Sequence, residues 1–143
     1  MTKCFKNVLV VDGSGWFPYW ADLFVEDGKI TRICYGENTG MNFYKECDEI
    51  VDYKKDPAGR FPEVYLIPGV NPPMTMEKYE AELKEIMDGL DKGLEIEKTV
   101  RKLTGFGYDK IEMIKVDVPA DFAIVDKKPT TKILEAYAEG KLL

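Results

Sequence analysis

The sequence contains no histidine. Histidine is the commonest metal ligand and the usual general base near neutral pH. Its absence excludes a Ser-His-Asp or Cys-His catalytic arrangement and any histidine-based metal site. Basic residues are also in deficit: 20 Lys and Arg stand against 26 Asp and Glu, for a net charge of −6. Phosphate binding needs a basic face, so no nucleic-acid partner is expected. Long apolar runs are missing too, and none approaches the ~20 residues that span a bilayer. The start, MTKCFKNVLVVDG, carries a charged or turn residue every few positions. A secretory signal needs an unbroken apolar stretch of about 7–15 residues. The expectation is a cytoplasmic chain with no membrane partner. Cysteine is scarce: Cys4, Cys34 and Cys47 are odd in number and widely spaced. That pattern implies neither a disulfide framework nor the paired C-x-x-C of a zinc site, and reads as buried free thiols.

What the chain has is apolar content, 45% hydrophobic and 12% aromatic over 143 residues. A single domain of this length buries about 68–70% of its unfolded surface. The first part reads as strands. Phe5 and residues 8–11 are apolar and β-branched, and the turn cluster Asp12-Gly13-Ser14-Gly15 follows. Residues 20–25 and 29–34 flank Asp27-Gly28, the strongest short-range signal for a hairpin. Residues 35–46 are polar and glycine-rich, and read as a loop. Residues 49–52 and 64–67 form two more strands, separated by a charged loop with two prolines.

The middle changes period. Thr75 is placed to cap a helix, with Glu77 and Glu80 in its early turns. Met76, Tyr79, Leu83, Ile86, Met87 and Leu90 then form one stripe at helical spacing. A second helix is expected over 95–104, with Ile96, Val100 and Leu103 on one face and glycines after it. Strand character returns at 122–126 and 132–138, before the turn Glu139-Gly140-Lys141. The expectation is an α+β fold, mainly β, in which both ends of the chain meet. It is one composite domain over 1–143. Strands occupy 1–70 and 108–143, and a helical hairpin bridges them over 71–107.

Candidate sites are few. Trp16, Phe17, Pro18, Tyr19 and Trp20 are a ligand or partner platform, or the cap at one end of the core. The stripe Met76, Tyr79, Leu83, Ile86 and Leu90 is a packing face within the chain, or an interface with another chain. Asp12, Asp22, Glu26 and Asp27 read as a carboxylate group or, more simply, as turn and strand-start residues. Gly13-Ser14-Gly15 and Gly105-Phe106-Gly107 lack the spacing of a phosphate loop.

Several motifs carry a resemblance when taken in order. KNVLVVDGSGWFPYWADLFVEDGKITRI and the strand ending in Pro68-Gly69 open the chain; GLEIEKTVRKLTG, VPADFAIVD and TKILEAYAEGKLL close it. Together they resemble the amidohydrolase superfamily, in its N-acyl-D-amino-acid deacylase, dihydroorotase and hydantoinase branch, over roughly 6–70 and 93–143. The resemblance implies a small β-sandwich, built from both ends of the chain beside a TIM barrel that carries the chemistry. A barrel takes about 200–250 residues and does not fit between Val70 and Gly93. The family's metal-binding His-x-His follows its Pro-Gly turn. Here Asn71-Pro72-Pro73-Met74-Thr75 stands there, with Pro73 and Thr75 at the histidine positions. No catalytic residue, metal ligand or cofactor carries over. The implied function is a non-catalytic scaffold for oligomerisation or partner binding, with a second copy or a separately encoded barrel as partner. The alternatives are a hydrolase of non-peptide C–N bonds, active as part of a split metal-dependent enzyme, and a small-ligand binding module.

Overall fold

A computed structural model describes residues 1–14, 17–54, 64–69, 77, 81, 84, 114–126 and 133–142. They are mainly β. The strands are β1 (Thr2–Val10), β2 (Tyr19–Glu26), β3 (Lys29–Tyr35), β4 (Glu49–Asp52), β5 (Val64–Pro68), β6 (Phe122–Asp126), β7 (Ile133–Ala138) and β8 (Lys141–Leu142). A 3₁₀ helix, Met41–Glu46, lies in the segment expected to be a loop. The expected two-helix insertion over 71–107 falls almost wholly outside the described residues. Of that stretch Glu77, Ala81 and Lys84 are described, and each is helical and exposed.

β1 organises the sheet because it has three neighbours. β2 runs antiparallel along one edge. The other edge is shared: β4 runs parallel to residues 3–6, and β5 runs parallel to Leu9 and Val10. The fork falls at Asn7, which has a left-handed φ of 56°. The β1–β2 register also shifts there, between Phe5 and Val8. Such a bulge bends and over-twists its strand, so the two halves of β1 diverge toward different partners. Beyond the fork, β5 pairs antiparallel with β6, which joins the two ends of the chain, and β7 and β8 follow in order. All eight strands therefore belong to one sheet, order β3-β2-β1-β5-β6-β7-β8 with β4 branching from β1. The expected mainly β composite takes the form of one hydrogen-bonded sheet that forks at the bulge.

The core holds Phe5, Val8, Val10, Leu23, Leu66, Phe122, Ile124 and Tyr137. Phe5 meets Phe122 and Tyr137 edge-on, each at 5.0 Å between ring centres. Ile67, Ala123, Val125 and Ala136 are buried as well. By strand alternation they occupy the opposite face, which explains why β6 reads as an unbroken apolar run.

The fold closes where two hairpin turns touch. Asp27-Gly28 and Glu139-Gly140 have positive φ at both central residues, as tight two-residue hairpins require. A Cβ on Gly28 would stand 2.8 Å from the Glu139 carbonyl oxygen, and one on Gly140 3.2 Å from the Gly28 Cα. Between the tips, the Ala120 N–H donates to the Gly28 carbonyl and the Gly140 N–H to the Ala120 carbonyl.

Candidate functional site

Two polar clusters stand out against this apolar frame. The first is centred on Asp22, which lies within β2 and is fully buried. One carboxylate oxygen accepts the Asn7 N–H at 2.9 Å. The other accepts the Gly40 N–H at 2.9 Å and the Tyr44 hydroxyl. The Asn7 side chain extends the cluster: its amide donates to Asn38 and Asp52, and its oxygen accepts the Trp20 indole N–H and the Asn38 N–H. Asp22 thus binds the β1 bulge and the segment carrying the 3₁₀ helix. Phe24 packs beneath that segment against Phe43 and Tyr44.

The second cluster is centred on Glu135 in β7. Its carboxylate accepts the Tyr53 hydroxyl at 3.1 Å and the Tyr137 hydroxyl. The Lys3 ammonium donates to the Tyr137 oxygen at 3.0 Å and lies over the rings of Phe5 and Tyr137. Lys3 also pairs with Glu49 at 3.7 Å. Lys3, Glu49 and Tyr137 form one wall of an open groove of about 850 Å³, whose floor is made by the two hairpin tips.

The aromatic stretch 16–20 is divided. Trp16 lies outside the described residues. Phe17 is 71% exposed. Tyr19 packs against the core and tilts its ring on Tyr35 at 4.9 Å. Trp20, next in the strand, points to the other face. It binds Asn7 there, and the Lys54 ammonium stands 5.2 Å from its ring. Met76, Tyr79, Leu83, Ile86 and Leu90 lie outside the described residues, as does the Asn71-to-Thr75 junction.

Asp22 itself was visible in the sequence as a carboxylate but read as a strand-start residue. Its pairing with Asn7, Tyr44 and Gly40 spans too much chain for any local pattern to disclose. The faint signal was Ala-Asp ahead of an apolar run, which occurs at 21–22 and again at 120–121. Asp121 is buried too, and accepts the Glu139 N–H at 2.7 Å.

The environment suppresses reactivity. Burial is the main cause in every case. It pushes the Cys4 thiol well above its usual range, with the Asp22 charge adding to the effect. Cys34 and Cys47 are raised as well. All three thiols therefore stay protonated at neutral pH, whereas nucleophilic cysteines need the thiolate. The phenols of Tyr19, Tyr44, Tyr53 and Tyr137 are raised by burial and by neighbouring carboxylates or tyrosines. Among the described residues no group of three or more Cys, Asp or Glu is arranged to hold a metal ion. What these clusters do is hold segments together and present a groove.

No family model and no curated protein matches the chain. Among solved structures, a crystal structure of D-hydantoinase is similar at 31% identity over 52% of this chain, with a TM-score of 0.35. The matched part spans 13% of the hydantoinase's length.

Proposed function

We propose that this chain is an amidohydrolase-derived β domain that acts as a non-catalytic scaffold, binding another copy or a partner chain. One observation carries the reading. The Gly69 N–H, where β5 ends, donates to the Asp121 carbonyl, where β6 begins. The Ile114 N–H in turn donates to the Asp12 carbonyl beside β1. The segment 70–113 therefore leaves and rejoins one sheet at neighbouring points. In the resembled family this is where the catalytic barrel is inserted between the two halves of the small β domain. Here the segment is far shorter than a barrel, and we read it as the two-helix insertion. The protonated thiols and the lack of histidine support a binding role over a chemical one.

The test is metal analysis of the purified protein together with a screen for amidase and cyclic-amidase turnover. The expected result is less than stoichiometric metal and no turnover. Stoichiometric zinc with turnover abolished by a chelator would overturn the reading.

A further inference from the structure

We propose that the cleft between the 3₁₀ helix and the sheet binds a small zwitterion, an α-amino acid. The cleft has a volume of about 250 Å³ and is lined by one cation, Arg32, and two carboxylates, Glu26 and Glu46. Its place follows from the strand register. Arg32 stands opposite Phe24, and Thr2 opposite Glu26. Phe24 and Glu26 are two residues apart in β2, so both pairs lie on one face of the sheet. The 3₁₀ helix lies over that face, with the Phe43 ring edge-on to Phe24. At three residues per turn Phe43 and Glu46 line up along the helix, and both reach the cleft.

Two observations mark this cleft. The first is a bulge in β3: Phe24 pairs with Arg32 and Val25 with Ile30, so Thr31 is an extra residue. Successive strand residues ordinarily point to opposite faces, yet Thr31 and Arg32 both line the cleft. Bulges re-aim side chains in this way beside functional sites. The second is the state of Arg32. Its guanidinium lies 3.6 Å from the centre of the Phe43 ring. That stack fixes the plane of the group and occupies none of its five N–H donors. Among the described residues Arg32 makes no ion pair or hydrogen bond, although Glu26 and Glu46 line the same cleft. Charge then selects the ligand. The two carboxylates repel a simple anion, and Arg32 repels a simple amine. A ligand carrying both charges close together meets both. Its carboxylate takes the guanidinium fork through two parallel N–H···O bonds. Its ammonium takes Glu26 and Glu46. The Thr31 hydroxyl donates to the Phe24 carbonyl at 3.4 Å, so its oxygen keeps a lone pair for a further ammonium N–H. The volume is below the ~300–1,000 Å³ of pockets for drug-sized ligands, which suits a single amino acid.

This site goes beyond the scaffold reading and does not depend on it. Titration of the full chain with glycine, L-alanine and L-serine, followed by amide NMR shifts, tests it. Saturable shifts are expected over 31–34 and 43–46, with a Kd on the order of 1 mM, as charges open to water allow. Acetate and methylammonium each carry one of the two charges and should bind about tenfold more weakly. Arg32 is exposed, so Arg32→Lys leaves the core intact, which circular dichroism checks. That variant keeps the charge, loses the fork and the planar stack, and should weaken binding about tenfold. Glu26→Gln with Glu46→Gln should weaken the amino acids and strengthen acetate. No saturable shift with any of the three amino acids, acetate binding as tightly as alanine, or an Arg32→Lys variant that binds as tightly as wild type would overturn the proposal. Those results leave the scaffold reading standing, while chelator-sensitive turnover would overturn that reading and leave this site untouched.

Discussion

Asp22 and Glu135 are both carboxylates that collect tyrosine hydroxyls, yet they sit on opposite faces of the sheet and do different work. Asp22 takes two backbone N–H groups, from Asn7 and Gly40, besides Tyr44. Glu135 takes side chains, Tyr53 and Tyr137, with Lys3 beyond. A backbone N–H held inside the fold cannot turn away to find water, so its acceptor is structurally required. A phenol's O–H can turn about its C–O bond toward another acceptor. The comparison separates a carboxylate that fixes backbone from one that ties side chains together. It also locates the fork of β1 chemically. Asn7 adopts its left-handed φ where Asp22 accepts its N–H and four other polar groups engage its side chain.

Alkaline pH acts on both clusters at once and should have the largest effect. The phenols of Tyr44, Tyr53 and Tyr137 are raised above their ordinary value of 10.0 in the fold. Below that value both folded and unfolded chains keep them protonated, and their contribution to stability is intact. Above it the unfolded chain ionises first, so stability falls as pH rises. Phenolate absorbance and circular dichroism should therefore change together for these residues. Phenolate signal from all three appearing while the fold is unchanged would contradict the burial argued for both sites.

The next largest effect distinguishes the two. Asp22→Ala strands the Asn7 and Gly40 N–H groups, each costing about 1–3 kcal/mol when buried without a partner. The expected loss is about 3–5 kcal/mol by chemical denaturation. A loss below about 1 kcal/mol would mean that water reaches the bulge and that Asp22 does not shape β1.

Much of this fold was legible. Alternation and the Asp27-Gly28 pair marked the β2–β3 hairpin to within a residue or two, because both signals are local. The strands over 49–52 and 122–126 were equally plain. The fork was not legible: Asn7 in KNVLVV looks like one polar residue in an apolar run, and its meaning depends on Asn38 and Asp52, far along the chain. The parallel pairing of β1 with β4 and β5 was hidden for the same reason, since register between distant strands is set by packing. At the candidate sites, Tyr19 and Trp20 were visible as aromatics. Strand alternation alone implied their opposite directions, and the reading of 16–20 as one cluster passed over it. Glu135 and Lys3 carried no signal, because a lone charged residue in a strand is ordinarily a solvated one.

Two substitutions test the smaller end of the comparison. Tyr44→Phe keeps the ring on Phe24 and removes one charge-assisted hydrogen bond, so it should cost about 1.5 kcal/mol. Hydrogen exchange should quicken chiefly over 38–47, the segment that Tyr44 and Gly40 tie to Asp22. Uniform quickening across β1, β2 and β6 would show that this segment does not open on its own. Glu135→Leu should cost least, less than about 1 kcal/mol. The Tyr137 hydroxyl keeps Lys3 within reach, and Lys3 keeps Glu49. An apolar side chain of similar size also avoids the cost of holding a carboxylate half out of water. If Glu135→Leu proved as damaging as Asp22→Ala, the Tyr53–Glu135–Tyr137 chain would be a structural clamp between β4 and β7. The groove beside it would then be a by-product of that clamp.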